Sequence, residues 1–335
     1  MKSPNRVKLT FYLLGFGGAA LFTALLIREG AARVMEAFVT PKWVIAGIVV
    51  YHSIPIFLDA IAWWVLFPKP ERLSLGQLYW MRWVGESIST LVPSAAVGGD
   101  IVRARLAAIK GAPLAIAAGT VIVDLTLGVF ITAGYTLLGS LLLVRATGKT
   151  SFVGPTIWGT MIGLFAFAGF YFAQRLGMFG FVGRVISRLA GSSEWRSLVE
   201  HGDSLDRAVR SLYARHRALL ECCGWTIVSF IAAAGEVWIA LYGMDLPASF
   251  VSALILQSTA FTIRAAAFAV PGALGVQEGG YIFVGSLLGI PGDSAFALSL
   301  IARLRELSLG IPGLITWQLS EGRRLLGTRA EAAPS

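Results

Sequence analysis

The chain has 335 residues, of which 56% are hydrophobic and only 14% are charged, whereas a soluble domain carries roughly a quarter charged residues. Its mean hydropathy is +0.72, which excludes a soluble globular protein and indicates a polytopic membrane protein. The net charge of +9 comes from basic residues placed between apolar segments, as in cytoplasmic loops, and does not indicate nucleic-acid binding.

Six segments are long and apolar enough to cross a bilayer, which takes about 20 helical residues. The first, Leu9–Ile27, is longer than the apolar core of a signal peptide and precedes no clear cleavage site, so we expect a retained transmembrane helix. The other predicted spans are Trp43–Phe67, Ala115–Val144, Phe152–Phe172, Leu219–Tyr242 and Asp293–Trp317.

Basic residues set the expected orientation. Six spans place both termini on one side, and the two termini and the stretch Ala173–Arg217 are all rich in Lys and Arg. Cytoplasmic loops carry this excess. We therefore expect a protein of the bacterial inner (plasma) membrane with both termini cytoplasmic.

Two further segments, Leu75–Ile109 and Phe250–Ile290, are broken by related Pro/Gly motifs. Residues 91–100 read LVPSAAVGGD and residues 269–278 read AVPGALGVQE. Because the arms after the breaks are too short to span, both segments are predicted to be re-entrant helical hairpins. One would enter from the cytoplasm and the other from outside, as in an inverted repeat. The predicted fold is an all-α polytopic membrane protein with about six full transmembrane helices plus two oppositely oriented hairpins.

These elements divide the chain into four regions. Residues 1–172 would form the first membrane half, 173–217 a cytoplasmic basic amphipathic connector, 218–320 the second half and 321–335 a cytoplasmic tail. Within the connector, Val182–Leu189 and Ser204–Tyr213 alternate apolar and basic residues at helical spacing, which suits helices lying on an anionic leaflet. A solvated linker is the alternative.

The two breaks are the first candidate site. Irregular backbone is tolerated within a bilayer only where protein or water covers it, and helix amino ends beside a break carry partial positive charge suited to an anionic headgroup. Ordinary tight turns are the alternative. The candidate substrate-binding residues at the breaks are Pro93, Gly98, Gly99, Asp100, Arg103, Pro271, Gly272, Gly275 and Glu278.

Charged residues inside the apolar segments extend this site, since each costs at least ~2.5–3.5 kcal/mol at the bilayer centre. Arg82 and Glu86 are four residues apart on one helix, so we expect them to pair and to contribute to substrate binding; Arg264 precedes the second break with no acid nearby in sequence. Four residues are candidates for proton coupling: His52, Asp59, Asp124 and Glu236. Three are candidates for structural ion pairs: Arg303, Arg305 and Glu306. For any single residue an ion pair between helices is the alternative; together they predict a polar pathway.

Metal and nucleotide chemistry find no support in the sequence. The three histidines are widely spaced, and the two cysteines, Cys222 and Cys223, are adjacent, which is no metal-ligand spacing. The chain contains no G-x-x-x-x-G-K-[ST] loop. We therefore expect no metal and no cofactor, and transport that is passive, ion-coupled or driven by a partner.

The two motifs carry a resemblance to a known family. Pro93 with GGD and Arg103, together with VPGALGVQEG at residues 270–279, resemble the lysylphosphatidylglycerol synthase transmembrane family, also called flippase-like, from about residue 10 to 320. The resemblance implies an inner-membrane lipid translocase, and a subgroup of the family is associated with hopanoid lipids. The founding enzymes continue into a soluble aminoacyl-transferase domain, which this chain has no room for, so the resemblance implies a transporter and no enzyme.

The leading hypothesis is thus a flippase-like translocase of a phospholipid or related lipid. Its expected partners are membrane lipids and no nucleic acid, with a second copy or a lipid-synthesis enzyme as further candidates. The alternatives are an integral-membrane lipid-modifying enzyme, and a non-catalytic accessory subunit of a lipid or envelope (hopanoid) pathway.

Overall fold

A computed structural model describes part of the chain. The described residues are 27, 42–92, 98–148, 150, 153–181, 196–246, 249–266, 273 and 275–331. The side chains of residues 42, 153, 155, 196–201, 264–266 and 321–331 also lie outside the description. The predicted span Leu9–Ile27, apart from its last residue, and the predicted helix Val182–Leu189 fall outside these ranges.

Within these ranges every regular element is helical, which confirms the all-α class. The helices are α1 (Lys42–Tyr51), α2 (Ser53–Leu66), α3 (Leu75–Leu91), α4 (Gly98–Ile109), α5 (Leu114–Thr147), α6 (Val153–Arg175), α7 (Arg196–Tyr213), α8 (His216–Gly243), α9 (Phe250–Ala266), α10 (Val276–Leu287) and α11 (Gly292–Glu331). A 3₁₀ turn, Lys69–Glu71, lies between α2 and α3.

Four helical stretches in the described part are long and apolar enough to cross a membrane, as a polytopic protein requires. They are Trp43–Leu66, Leu114–Thr147, Thr156–Arg175 and His216–Gly243. The predicted span Asp293–Trp317 lies within α11, whose internal Arg and Glu residues set it apart from these four. Helix α11 also continues to Glu331, so residues 321–331 of the predicted tail are helical.

Each segment predicted as a hairpin folds as two packed helices on either side of its Pro/Gly break. Helices α3 and α4 flank the first break, and α9 and α10 flank the second. A capping box of Ser74 and Gln77 begins α3, satisfying its free amides. Gly275, at φ +75°, immediately precedes α10, a conformation that glycine adopts at little cost. The depth of both hairpins in the bilayer stays a prediction.

The helices form two four-helix sets, α2–α5 and α8–α11, that pack by the same pattern. Within each set the first helix packs on the second and fourth, the second on the third, and the third on the fourth. Between the sets, α2 packs on α8, α3 on α11 and α5 on α9. If the sets are exchanged helix for helix, α2 with α8 through to α5 with α11, the α2–α8 contact maps onto itself and the α3–α11 contact maps onto α5–α9. The packing of α5 on α8 has no counterpart of similar extent. A duplicated unit packs in this way.

The contacts α5–α9 and α3–α11 use the same residue types. Gly139 of α5 lies against Ser258 of α9, and Gly313 of α11 lies against Ser87 of α3. A Cβ atom at either glycine would overlap the serine side chain. Small residues allow membrane helices to approach closely, so each hairpin is held at its first helix by the last helix of the other set.

The connector contributes α7, which packs on α5 and α6. Val209 and Leu212 are fully buried and lie near Gly119 of α5, and the Tyr213 hydroxyl donates to Gln174 Oε1 at 2.8 Å. The stretch Ser204–Tyr213 is therefore part of the packed structure, and the solvated-linker alternative does not hold for it.

Candidate functional site

A polar cavity of about 360 Å³ lies between the two helix sets. Its lining comes from α1, α2, α3 and α4 on one side and from α8, α9, α10 and α11 on the other. Apolar side chains such as Ile56, Phe230 and Leu298 share this lining with many charged ones. Both broken hairpins thus face one cavity.

The first group of charges, here called the first ionic network, joins α2, α3, α4 and α5. Arg82 donates to Asp59 at 3.1 Å and to Asp124 at 2.7 Å. Arg103 donates to Asp124 at 3.1 Å and to Asp100 at 2.7 Å. The ion pairs therefore run in the order Asp59, Arg82, Asp124, Arg103 and Asp100, with acids and bases alternating. Asp124 is not among the lining residues and connects the two arginines.

Close helix packing positions Arg103. Its side chain is 2% exposed, lies 5.0 Å from the ring centroid of Trp63, and passes directly over Gly85 of α3. A guanidinium over an indole face gains cation–π attraction. Because Gly85 has no side chain, Arg103 has room to reach Asp124 from the middle of α4, the second helix of the first hairpin.

The second ionic network begins at His52, the residue between α1 and α2. His52 Nε2 lies 2.8 Å from Glu86 Oε1 on α3, and Nδ1 lies 2.6 Å from Glu236 Oε1 on α8. Arg305 of α11 donates to Glu236 Oε2 at 2.6 Å. His52 therefore connects carboxylates of the two helix sets directly.

The same network continues from α11 to the second hairpin. Arg305 pairs with Glu306 at 3.6 Å, and Arg303 donates to Glu306 at 3.2 Å and to Glu278 Oε1 at 3.0 Å. Glu306 thus lies between Arg303 and Arg305, the other two residues predicted to form structural ion pairs. Acids and bases again alternate, here from Glu86 to Glu278.

Two buried acceptors at the start of α10 have no hydrogen-bond partner among the described residues. They are Glu278 Oε2 and Gln277 Oε1, on side chains that are 0% and 2% exposed. A buried acceptor left without a donor costs about 1–3 kcal/mol. Both atoms therefore favour a hydrogen-bond donor at the second break.

The comparison with known proteins identifies the family of this chain. Residues 12–313 match the family described as lysylphosphatidylglycerol synthase TM region. The chain belongs to this family. No curated protein matches the chain.

In this member of the lysylphosphatidylglycerol synthase TM family, most of the predicted site residues meet at the cavity. The lining includes His52, Asp59, Arg82, Glu86, Asp100, Arg103, Glu236, Arg305 and Glu306. Asp124, Glu278 and Arg303 join it through ion pairs. Gly98 and Gly99 begin α4, and Gly275 precedes α10. Pro93, Pro271, Gly272 and the side chain of Arg264 lie outside the described residues, although the backbone of Arg264 belongs to α9.

The expected pairing of Arg82 with Glu86 is wrong. Arg82 bonds Asp59 and Asp124, whereas Glu86 bonds His52. Spacing along one helix identified neighbours on its surface, but carboxylates on α2 and α5 lie closer to the guanidinium. The two residues consequently belong to different networks.

Sequence reasoning also missed polar residues of the lining. Gln257 on α9 and Gln277 and Tyr281 on α10 line the cavity from the second hairpin, and Ser229 lines it from α8. Glutamines in otherwise apolar segments were the available signal, because a buried amide needs partners. Among the described residues, no group of His, Cys, Asp and Glu is arranged to hold a metal ion.

Proposed function

We propose that this protein moves a phospholipid or related lipid between membrane leaflets, with the headgroup passing through the cavity. The observation that carries the proposal is a cavity that both broken hairpins line with polar side chains and the first hairpin lines with charged ones as well. A volume of about 360 Å³ suits a headgroup, while the acyl chains would stay in the bilayer. This is transport, and no chemical conversion of the lipid is proposed.

The charge balance favours a headgroup that carries a positive group. The first network holds three carboxylates (Asp59, Asp100, Asp124) against two guanidinium groups. The second holds four carboxylates (Glu86, Glu236, Glu278, Glu306) against two guanidinium groups and one imidazole. Acids therefore exceed bases among the described network residues, even when His52 is protonated. An amine-bearing headgroup would balance this excess.

We assign Glu86 as the carboxylate that first contacts the headgroup amine. Its side chain is 40% exposed, far more than that of any other acid in its network. Arg82 and Arg103, on the same hairpin, would face the phosphate, since guanidinium groups bind phosphate in a bidentate manner. Amine and phosphate would then be held on neighbouring turns of α3 and α4.

Movement of one hairpin against the other set would expose the cavity to each leaflet in turn. Transporters built from inverted repeats work by rocking of this kind around a fixed site. The close Gly–Ser contacts Gly139–Ser258 and Gly313–Ser87 are where each hairpin would move against the other set. The mirrored packing of the two helix sets supports two alternative arrangements of similar energy.

The test is lipid movement in liposomes. Purified protein is reconstituted with acyl-labelled fluorescent lipids that differ in headgroup, and dithionite then removes the signal of the outer leaflet. We expect fast loss of the inner-leaflet signal for amine-bearing lipids. Glu86→Gln should slow it by roughly tenfold, which corresponds to about 1.4 kcal/mol.

Glu221→Gln is the matched control, because Glu221 pairs with the highly exposed Arg217 on the outer surface of α8. This variant should move lipid at the rate of the unaltered protein. If no lipid of any headgroup moves, the proposed function is wrong. If lipid moves and Glu86→Gln has no effect, the amine assignment fails while translocation stands.

A further inference from the structure

The environment of His52 requires a shared proton. Nδ1 lies 2.6 Å from Glu236 Oε1, and Nε2 lies 2.8 Å from Glu86 Oε1. Carboxylate oxygens accept hydrogen bonds, so each ring nitrogen must donate unless a carboxyl group itself carries a proton. Both nitrogens donate only in the imidazolium form.

Arg305 offers a second arrangement with the same number of protons. Its Nη1 lies 2.8 Å from His52 Nδ1 and 2.6 Å from Glu236 Oε2. If Nδ1 instead accepts, Glu236 Oε1 carries the proton that fills the 2.6 Å contact, and that proton and Arg305 share the single Nδ1 lone pair. In either case one proton is held between His52 and Glu236.

Removing this proton would leave a ring lone pair facing a carboxylate oxygen. That contact is repulsive, so Nδ1 would turn from Glu236 to the Arg305 guanidinium 2.8 Å away, and the direct contact of His52 with Glu236 would be lost. His52 immediately precedes α2 of the first helix set and Glu236 belongs to α8 of the second, and each side chain is at most 9% exposed. The proton therefore determines whether this contact between the two sets holds.

Among the ionisable groups around this contact, His52 is the base that can titrate. Glu86 reaches it from α3, Glu236 from α8, and Arg305 from α11. Other ionisable groups of the surrounding helices have their own partners: Asp59 and Asp124 bond Arg82, and Glu306 bonds Arg303 and Arg305. Tyr51 of α1 lies against Gly235 of α8. Arginine stays charged, so the histidine is the group of this contact that can release and regain a proton.

We propose that the proton shared by His52 and Glu236 is the coupling ion of lipid movement. This inference rests on the proposed translocase function and supplies its energy source. The proton holds the two helix sets together in the present conformation. Its release leaves the ring one N–H, enough for one acid only, so the other of Glu86 and Glu236 is released from the histidine to meet the headgroup amine. One proton is exchanged for each lipid, and the conformational change requires its binding and release.

The proton site is tested first, without any transport. The chain has three histidines, so His201→Gln with His216→Gln leaves His52 as the sole histidine. Nitrogen-15 NMR of this protein in lipid nanodiscs should show the ring passing through one protonation step as pH rises, and Glu236→Gln should displace that step. Ring signals that do not change with pH would overturn the proposal.

The coupling is tested by the final lipid distribution in liposomes with a pH gradient. Passive movement gives an equal distribution, whereas exchange of one proton per lipid at a gradient of one pH unit supports about a tenfold difference between leaflets. We expect this asymmetry for the unaltered protein and for His216→Gln, whose residue is exposed. His52→Gln, which keeps a hydrogen-bonding side chain, should give equal leaflets.

The outcomes separate the two claims. Lipid that moves but distributes equally under the gradient in the unaltered protein overturns proton coupling and leaves the translocase intact. Equal asymmetry in the His52→Gln variant and the unaltered protein shows that another group carries the proton, which also overturns the proposal. Absence of any lipid movement overturns the translocase function itself, and the coupling with it.

Discussion

Gly99 lies directly against the backbone of Gly85, at the point where the two helices of the first hairpin meet. A Cβ atom on Gly99 would overlap the Gly85 carbonyl and the Ser89 side chain. The Arg103 side chain crosses Gly85 immediately beside this contact. The two glycines thus bring α3 and α4 close enough for Arg82 and Arg103 to share Asp124.

Gly99→Ala should destabilise the protein by about 1–3 kcal/mol, because the added methyl group meets backbone that cannot move aside. Thermal unfolding in detergent measures the effect. Gly76→Ala is the control: this glycine lies in α3, is exposed, and leaves open space where the added methyl group would sit. Equal melting temperatures for the two variants would contradict the close contact.

Asp59 and Arg82 should behave as a coupled pair. Arg82→Met removes the arginine that bonds Asp59 at 3.1 Å, and because this pair is only partly buried, the loss should cost less than the ~3–5 kcal/mol of a fully buried ion pair. The double variant Asp59→Leu/Arg82→Met removes both charges and should melt at a higher temperature than Arg82→Met. A double variant less stable than the single one would show that Asp59 does not depend on Arg82.

The two mirrored helix contacts should respond alike to added bulk. Gly139→Leu and Gly313→Leu each force a side chain against a serine of the opposite set, so both should lower the melting temperature and slow lipid movement. Gly134→Leu, on an exposed and open position of α5, should change neither measurement. A large effect at one contact with none at the other would argue against the equivalence of the two sets.

Arg215 should stabilise the carboxyl end of α2. It donates to the Leu66 carbonyl at 2.5 Å and reaches those of Val65 and Phe67, where a cation also meets the negative end of the helix dipole. Arg215→Ala is expected to cost about 1–2 kcal/mol in thermal unfolding. Arg217→Ala removes a 94% exposed arginine and should cost about 0–1 kcal/mol. Similar losses from both would contradict the capping role.

The sequence predicted elements whose signal is local. The Pro/Gly breaks marked the places where α3 and α9 end, since proline and glycine interrupt helices through their own geometry. Apolar length predicted the stretches Trp43–Leu66 and His216–Gly243 within a few residues. The helical packing of Ser204–Tyr213 followed from its amphipathic spacing, but the choice between a docked helix and a linker needed the structure.

The partners of the charged residues were not predictable in the same way. Arg82 and Glu86 are neighbours on one helix, yet each bonds residues that lie 23 to 42 positions away in the sequence: Asp59, Asp124 and His52. Similarly, His52 and Asp59 share a face of one apolar stretch but enter different networks. Such partners depend on how α2, α3 and α5 pack, which no single segment encodes.

The alternation of acid and base in the two networks also limits how this sequence can change over evolutionary time. A neutral residue at position 59 would leave Arg82 with one carboxylate fewer, and a neutral residue at position 303 would leave Glu278 without the arginine that it bonds. Viable descendants should therefore alter such positions in pairs, Asp59 with Arg82 and Glu278 with Arg303. Homologous chains that have lost one member of a pair are expected to have lost the other.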